Sequence, residues 1–167
     1  MMADLLIRKA EMPDLDRIMG IYGHAREQMR ASGNPNQWGY TYPEEDLIRE
    51  DIKAGHCYVI CAEAIHGVFV VTDGPDETYK VIENGQWLNN EPYVVIHRIA
   101  GDGQVHGILK SAIDHCRNLS ENIRIDTHED NAKMRHLIEK NGFIRCGIIY
   151  VRDHSQRIAY QWTAAPI

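Results

Sequence analysis

The sequence predicts a single mixed α/β domain in which helices cover both faces of a central, largely antiparallel sheet. Three observations lead to this class. The chain has 167 residues, which suits one domain with a substantial core. Short β-branched runs alternate with stretches of helical periodicity along the chain. No repeat, low-complexity tract or linker interrupts that order, so residues 1–167 are expected to form one domain.

The composition argues against several classes of function. The formal net charge of −6 disfavours a general nucleic-acid surface. The start of the chain lacks a basic segment, and no long apolar run follows it. We therefore expect a cytoplasmic protein with no membrane partner. The four cysteines form no C-x-x-C pair and the nine histidines are scattered. We therefore expect reduced thiols and no metal.

Strand and helix signals alternate through the first half of the chain. An apolar face that starts at Leu15 and ends before Ser32-Gly33 predicts the first helix. Thr41-Tyr42-Pro43-Glu44 has the form of a capping box, which predicts a second helix that reaches about Ala54. Three strands are expected around these helices, the last two joined as a hairpin through Glu63–His66: Leu5–Lys9, His56–Ala62 and Gly67–Asp73.

Two irregular segments carry aromatic residues that could line a pocket. Residues 34–40 hold Trp38 and Tyr40, which either cap an edge of the core or form one wall of a substrate site. Residues 74–92, called the flap below, hold Tyr79 and Trp87. So long an excursion in a compact domain is either disordered or folded, and its aromatics favour folding.

The central stretch reads as a strand, a glycine-containing turn and a helix. Val94-Val95-Ile96 predicts a buried strand, and Gly101 and Gly103 loosen the backbone after it. After Gly107 apolar residues recur with helical spacing as far as Cys116. Unpaired N–H groups and the positive dipole end at such a helix start bind a pyrophosphate well. An ordinary βα connection without a ligand shows the same local pattern. The P-loop and dinucleotide fingerprints are both absent.

The last third of the chain predicts four more elements. A helix should start at Glu129 or Asp130 and end at Asn141-Gly142, where glycine supplies a left-handed cap. Three strands are expected beside it, with the turn Asp153–Gln156 between the last two: Asn122–Thr127, Ile144–Val151 and Arg157–Trp162.

Two segments resemble the acetyl-CoA-binding motifs of the GCN5-related N-acetyltransferases (GNAT). Gln104 to Leu109 matches Q/R-x-x-G-x-G/A at its first and fourth positions, and departs from it at Leu109, where the family has a small residue. Ile123–Phe143 resembles the family's next strand followed by N-x-x-A/M-x-x-L-x-E-K-x-G-F. The matches in that second segment are Asn131, Met134, Leu137, Glu139, Lys140, Gly142 and Phe143. The residue-level match covers roughly 94–151, and the order of elements matches over nearly the whole chain.

This resemblance implies an N-acetyltransferase that moves an acetyl group from acetyl-CoA to a primary amine by direct attack in a ternary complex. It also implies that the central strand splays from its neighbour, so that the pantetheine arm runs along the backbone of Arg98, Ile99 and Ala100. A backbone N–H there would polarise the thioester carbonyl. The other cofactor-binding residues implied are Gln104, Val105, His106, Gly107, Ile108, Leu109 and Lys110 at the pyrophosphate, with Asn131 and Met134 on the next helix. Asn131 could equally be a helix N-cap.

The catalytic residues are less completely specified. His97 is our candidate base, because a histidine similarly placed in the arylalkylamine branch serves in proton removal and histidine titrates near neutrality. A core histidine bonded to backbone is the equal alternative. Ile138 replaces the family's usual tyrosine, so Tyr150 is our candidate acid, unless thiolate loss needs none. Trp38, Tyr40, Tyr79 and Trp87 are expected to line the site of a small or aromatic amine or a peptide terminus.

Two other functions fit the same residues. The enzyme could use another acyl donor or an oxygen acceptor. Alternatively, the chain could be a module that binds or senses acyl-CoA without turnover, for which the loss of the tyrosine at Ile138 leaves room. The oligomeric state is open, with a homodimer as one option.

Overall fold

The structure is a computed structural model that describes residues 4–164. Its strands are β1 Leu6–Lys9, β2 Cys57–Ala62, β3 Ala64–Asp73, β4 Val94–Gly101, β5 Asn122–Thr127, β6 Ile144–Tyr150 and β7 Gln156–Thr163. Its α-helices are α1 Leu15–Ala31, α2 Glu45–Lys53, α3 Ile108–Arg117 and α4 Ala132–Lys140. Short 3-10 turns occupy Met12–Asp14 and Glu77–Tyr79.

The seven strands form one sheet in the order β1-β2-β3-β4-β5-β7-β6. The β1–β2, β2–β3, β5–β7 and β6–β7 pairs are antiparallel. β4 runs parallel to β5, with Val94 opposite Ile123 and Val95 opposite Arg124. The predicted mixed α/β class with a largely antiparallel sheet is therefore confirmed.

The described residues group into two compact units, 4–71 with 97–115, and 72–96 with 116–164. We call these the first unit and the second unit. The expectation of one domain stays a prediction. None of the helices described in residues 4–164 is both long and apolar enough to cross a membrane.

The first unit has helices on both faces of its strands. Successive strand side chains point to opposite faces, so Val59 and Tyr58 of β2 face different layers. Val59 belongs to a buried cluster with Ile18 of α1 and Ile48 of α2. Tyr58 instead stacks on Phe69 and lies 4.7 Å, between ring centroids, from His115 of α3. Burial lowers the pKa of His115.

Three predicted boundaries differ from the observed ones by two residues or more, and the others by one at most. The capping box at Thr41 is wrong, because α2 begins at Glu45 with Glu44 at the N-cap position. Proline disfavours a helical conformation in the residue before it, so Pro43 excludes Tyr42 from the helix. The hairpin connection is Glu63 alone, at φ 66°, rather than Glu63–His66. α4 starts after Asn131, whose side chain accepts a hydrogen bond from the Met134 N–H at 3.1 Å.

The flap is folded, as its aromatic residues indicate, and a buried cation anchors it. The Arg124 guanidinium of β5 lies 4.0 Å from the centre of the Trp87 ring and 3.9 Å from that of Tyr93. The same guanidinium donates to the Asn89 carbonyl at 3.0 Å. Further along, Glu83 forms an isolated bridge with Ile148 of β6. These contacts fix the flap within the second unit.

We predict that Gly85→Ala destabilises the protein. Gly85 has a φ of 156°, and a Cβ there would collide with the backbone carbonyl of Cys146. Such overpacking typically costs about 1–3 kcal/mol. Gly20→Ala is the control, because a Cβ at Gly20 in α1 meets nothing within 4 Å, and alanine there should stabilise the helix by about 0.5–1 kcal/mol. Denaturant unfolding measures both; equal stability of the two variants would contradict the packing described for the flap.

Candidate active site

The central strand is distorted at Arg98. This residue has a φ of 45°, in the left-handed region that residues other than glycine seldom adopt. A conformation of this kind persists only where the surroundings determine it more strongly than local preference does. The distortion falls in the middle of β4, at the first of the three residues predicted to run beside the pantetheine arm.

An ion pair and two tyrosines hold Arg98 in place. Its guanidinium donates to both carboxylate oxygens of Asp51, at 2.9 to 3.1 Å. The two side chains are only 14% and 10% exposed. Arg98 Nη1 lies 3.2 Å from the Tyr42 hydroxyl, and the Tyr22 hydroxyl donates to the Arg98 carbonyl at 2.8 Å. Both the side chain and the backbone of Arg98 are therefore fixed.

Sequence reasoning missed Asp51 and Tyr22. It assigned Arg98 a backbone role only, and no local pattern joins Arg98 to a residue 47 positions earlier. The signal that could have found Asp51 is its place on α2 between the buried residues Ile48 and Ile52. An acidic residue on an apolar helix face requires a partner.

The surroundings of Arg98 shift the pKa values of two groups that contact it, Asp51 and Tyr22. Burial raises the pKa of the Asp51 carboxyl, while the charge and hydrogen bonds of Arg98 oppose that rise. Complete burial raises the pKa of Tyr22 well above its usual range. Tyr22 is therefore a neutral hydroxyl donor at neutral pH, as its bond to the Arg98 carbonyl requires.

His97 directly precedes the distortion and is half-buried. It thus lies on the same strand as the backbone edge predicted for the thioester, one residue before the left-handed residue Arg98. Its assignment as the base stays a prediction.

Asp102 fixes the turn that follows β4. Its Oδ1 accepts a hydrogen bond from the Gln104 N–H at 2.9 Å. Its Oδ2 accepts from Arg17 Nη2 at 2.6 Å and lies 2.7 Å from His66 Nδ1. Burial tends to raise the pKa of Asp102, but the hydrogen bonds from Gln104 and His66 and the charges of His66 and Arg17 lower it overall. The segment between Gly101 and Gly103 is thus held by a carboxylate.

The turn ends at Gly107 and α3. Gly107 has a φ of 85°, and a Cβ built on it would meet nothing within 4 Å. Its carbonyl accepts from the Ser111 N–H at 2.9 Å, which opens the helix. The first N–H groups of a helix have no carbonyl partner within it, so those of Ile108, Leu109 and Lys110 point toward the turn. The Gln104 N–H, by contrast, is already bonded to Asp102.

Leu109 replaces a small residue of the family motif without blocking the turn. Its side chain is 5% exposed, in the core of the first unit. The Lys110 ammonium lies at the surface, 2.7 Å from Asp114. An open cavity beside the turn is lined by Asp4, Ala62, Glu63, His66, Gln104 and Val105. A ligand can therefore reach the turn at Gln104 and Val105.

The predicted residues of the second unit have clear structural partners. Asn131 is the N-cap of α4, and Met134 supplies the N–H that it accepts. Ile138, at the position of the family's tyrosine, is fully buried. The Tyr150 hydroxyl donates to Glu83 at 2.9 Å, a hydrogen bond that raises the pKa of this phenol. Cofactor contacts by Asn131 and Met134 and proton donation by Tyr150 stay predictions.

The four aromatics assigned to the acceptor fall into two groups. In the first unit, Trp38 packs edge-on against Tyr22 and Tyr42, with ring centroids 5.7 and 6.1 Å away. Tyr40 is 78% exposed and has Arg30 over its ring. Tyr79 and Trp87 lie together in the second unit, 5.0 Å apart.

Two of these four aromatic side chains pack against other residues of the protein. Trp38 is partly buried against the core of the first unit, which is the core-edge position that the sequence left open for it. Tyr79 is 2% exposed, and its hydroxyl donates to Asp126 at 2.6 Å. Contact between these aromatics and an acceptor stays a prediction.

No group of three or more metal-ligating side chains able to hold a metal ion occurs among residues 4–164. The four cysteines are free thiols.

The fold of this chain matches that of proteins whose structures are known. No family model matches the chain, and no curated protein matches it. Among solved structures, a GNAT-family acetyltransferase from Streptococcus agalactiae 2603 is 29% identical, with a TM-score of 0.87 over 97% of this chain and 96% of that one. A protein of Staphylococcus aureus Mu50, provisionally assigned as an acetyltransferase, is 28% identical, with a TM-score of 0.68 over 95% and 98%.

A third structure matches at the level of the fold. It is a provisionally assigned acetyltransferase of Salmonella typhimurium with its cofactor acetyl-CoA, 18% identical, with a TM-score of 0.62 over 98% of each chain. The overall fold of this chain is therefore that of GNAT-family acetyltransferases. The chain belongs to the GCN5-related N-acetyltransferase superfamily.

We predict that Arg98→Ala strongly destabilises the protein, because it leaves the Asp51 carboxylate buried without its partner. Breaking a buried ion pair on one side typically costs about 3–5 kcal/mol. Arg8→Ala is the matched control: it breaks an arginine–aspartate pair with Asp14 whose arginine is 49% exposed, and surface pairs contribute about 0–1 kcal/mol.

The double variant Arg98→Ala/Asp51→Ala separates the pair from its surroundings. Residues in one ion-pair network are not additive, so its loss of stability in urea should fall well below the sum of the two single losses. Strict additivity would show that the two side chains are not coupled.

Proposed function

We propose that this protein is an N-acetyltransferase that moves an acetyl group from acetyl-CoA to a primary amine of a small molecule or peptide, in the cytoplasm. The observation that carries the proposal is the continuous path from the distortion at Arg98, through the turn fixed by Asp102, to the start of α3. These parts supply a backbone edge and a set of helix N–H groups in the order that an acyl-CoA requires.

The turn fits a diphosphate in conformation. Gly107 takes a left-handed φ and has no atom within 4 Å of where a Cβ would lie, so a phosphate could approach its backbone. The first turn of α3 contains no acidic residue. We assign the pyrophosphate to the backbone of residues 105–110, with the Gln104 side chain beside it. The N–H of Gln104 is left out of this set because Asp102 accepts it.

The acetyl group would lie along β4. Arg98, Ile99 and Ala100 would hydrogen-bond the pantetheine arm, and a backbone N–H of this edge would polarise the thioester carbonyl. A donor preorganised toward a developing oxyanion typically contributes ~10²–10³-fold in rate. The distorted backbone at Arg98 is what aims this edge, which is why the ion pair with Asp51 matters for chemistry.

The acceptor nitrogen loses two protons as it passes from ammonium to amide, one before the attack and one after it. Amines have pKa values near 10, so most of the acceptor is protonated at neutral pH. We propose that His97 takes that proton, after which the amine nitrogen attacks the carbonyl carbon and the carbon–sulfur bond breaks. CoA leaves as the thiolate, or as the thiol with a proton from Tyr150, and the second proton of the nitrogen is released to solvent or restores Tyr150. Asn131 and Met134 would contact the pantetheine arm.

Aromatic side chains would recognise the acceptor, and the candidates are Trp38 and Tyr40 in the first unit and Tyr79 and Trp87 in the second. The competing function is a module that binds acyl-CoA without turnover. It is favoured by Ile138, which is fully buried where the family places its tyrosine.

A panel of amines and matched alcohols incubated with acetyl-CoA, and separately with longer acyl-CoA donors, tests the proposal by mass spectrometry. We expect single acetylation of at least one primary amine together with release of free thiol. At ligand near 100 times its Kd, binding should also add about 2.7 kcal/mol of stability. Stabilisation without transfer would indicate the sensor, and no stabilisation at millimolar acetyl-CoA would reject both functions.

Gly107→Glu should abolish acetyl-CoA binding in a folded protein, because it adds bulk and a negative charge where the diphosphate would lie. Gly33→Glu is the matched control, since Gly33 has a φ of 88° and equally open space at the end of α1. Isothermal titration of both variants with acetyl-CoA is the measurement. Equal Kd values would show that the pyrophosphate lies elsewhere.

His97→Ala should lower turnover by ~10²–10⁴-fold, the usual contribution of a positioned base, with acetyl-CoA affinity nearly unchanged. The acidic limb of the rate–pH profile should lose its inflection near the histidine pKa. His136→Ala, which removes an exposed histidine of α4, should change neither quantity. A folded His97→Ala enzyme with normal turnover would leave proton removal to ordered water.

A further inference from the structure

The Asp102 carboxylate is the junction of three separate parts of the first unit. Its side chain is 6% exposed, and each of its oxygens is engaged. Oδ1 accepts from the Gln104 N–H of its own turn, while Oδ2 contacts Arg17 of α1 and His66 of β3. The Asp102 N–H adds a bond to the His66 carbonyl at 3.0 Å. One side chain thus ties the turn to a helix and a strand.

The two carboxylate oxygens of Asp102 have different structural roles. The bond from Oδ1 to the Gln104 N–H closes an Asx turn, which determines the backbone path of the residues just before the assigned diphosphate donors. The contacts of Oδ2 anchor that path to elements 85 and 36 residues away along the chain. A carboxylate is suited to this task, because it accepts several hydrogen bonds at once.

A carboxylate next to a diphosphate site needs its charge compensated. Arg17 provides this compensation: its Nη2 lies 2.6 Å from Oδ2, and its Nε donates to the Ile65 carbonyl at 3.0 Å. The arginine side chain remains 44% exposed. The turn therefore carries a structural anion whose charge is offset by a cation held at a fixed position.

We propose that Asp102, with Arg17 and His66, is a positioning cluster that shapes the turn for the pyrophosphate of an acyl-CoA. This inference rests on the proposed function and adds the residues that determine how tightly the diphosphate is bound. The cluster contacts the turn rather than the reacting atoms. Its loss should therefore weaken binding of donors that contain a pyrophosphate and leave donors without one unaffected.

The test compares two donors, acetyl-CoA and acetyl-pantetheine, which lacks the pyrophosphate. A hydrogen bond to a charged group typically changes an equilibrium constant about tenfold to a hundredfold, and here that constant is the population of the turn in its binding conformation. In titration calorimetry, Asp102→Ala should raise the Kd of acetyl-CoA by that factor and leave the Kd of acetyl-pantetheine unchanged. Asp102→Asn retains an oxygen that can accept the Gln104 N–H, so it should recover part of the loss. Asp16→Ala, an exposed carboxylate of α1, is the control.

The Arg17→Ala variant tests independently whether Arg17 compensates the negative charge of Asp102. It leaves the Asp102 charge uncompensated beside the diphosphate, so acetyl-CoA should bind more weakly, and the loss should shrink as salt is added. The double variant Arg17→Ala/Asp102→Asn lacks the negative charge of Asp102. Its affinity for acetyl-CoA should therefore be higher than that of Arg17→Ala alone.

A folded Asp102→Ala protein that keeps the wild-type preference for acetyl-CoA over acetyl-pantetheine would overturn the inference and leave the proposed function standing. Equal weakening of both donors would overturn it as well, because the cluster would then be supporting the fold in general. A wild-type protein that binds neither donor would instead reject the proposed function, and this inference with it.

Discussion

The ion pair between Arg98 and Asp51 is the constraint on which the candidate site depends. It joins the middle of β4 to α2, and both charged groups are almost fully removed from water. Taking two charges out of water is costly, so such a pair seldom adds much stability over an apolar replacement. What it does provide here is geometry. A planar guanidinium bonded to both carboxylate oxygens allows one orientation, and that orientation holds Arg98 in a backbone conformation it would not otherwise adopt.

The rest of the site follows along the chain from this residue. Tyr22 bonds the carbonyl of Arg98, so α1 also fixes the distorted backbone. Four residues later the chain reaches Asp102, whose carboxylate accepts the Gln104 N–H and so sets the turn. α3 begins four residues after Gln104, at Ile108. Buried polar groups thus hold the backbone at two successive points of one strand–turn–helix segment, Arg98 and Asp102. Polar networks of this kind specify one arrangement when every member is satisfied.

Much of this could be predicted from the sequence where a local rule applies. The β-branched run at Val94 and the apolar spacing after Gly107 indicated the central strand and α3, and both are observed. The local rules failed where two applied at once. Thr41 and Glu44 satisfy the capping-box pattern, yet Pro43 between them restricts Tyr42, and the helix begins only at Glu45.

Contacts between residues distant in sequence could not be predicted. Nothing near Arg124 indicates that Trp87 and Tyr93 will enclose its guanidinium, because isoleucines alternate with polar residues around it, as in an ordinary strand with one polar face. The same holds for Asp51 and Arg98. Each looks like an ordinary charged residue until the partner is brought to it by the fold. The cofactor turn was the exception, since its residues are contiguous and resemble a known motif.

Amide chemical shifts measured by NMR during titration with acetyl-CoA test the central claim most directly, because they report on each backbone N–H separately. The account predicts that the largest changes fall on residues 98–100 of β4 and 105–110 of the turn and α3. The changes at 105–110 should be lost when acetyl-pantetheine replaces acetyl-CoA. Changes concentrated in the flap or on β6, with both of those segments unaffected, would contradict it.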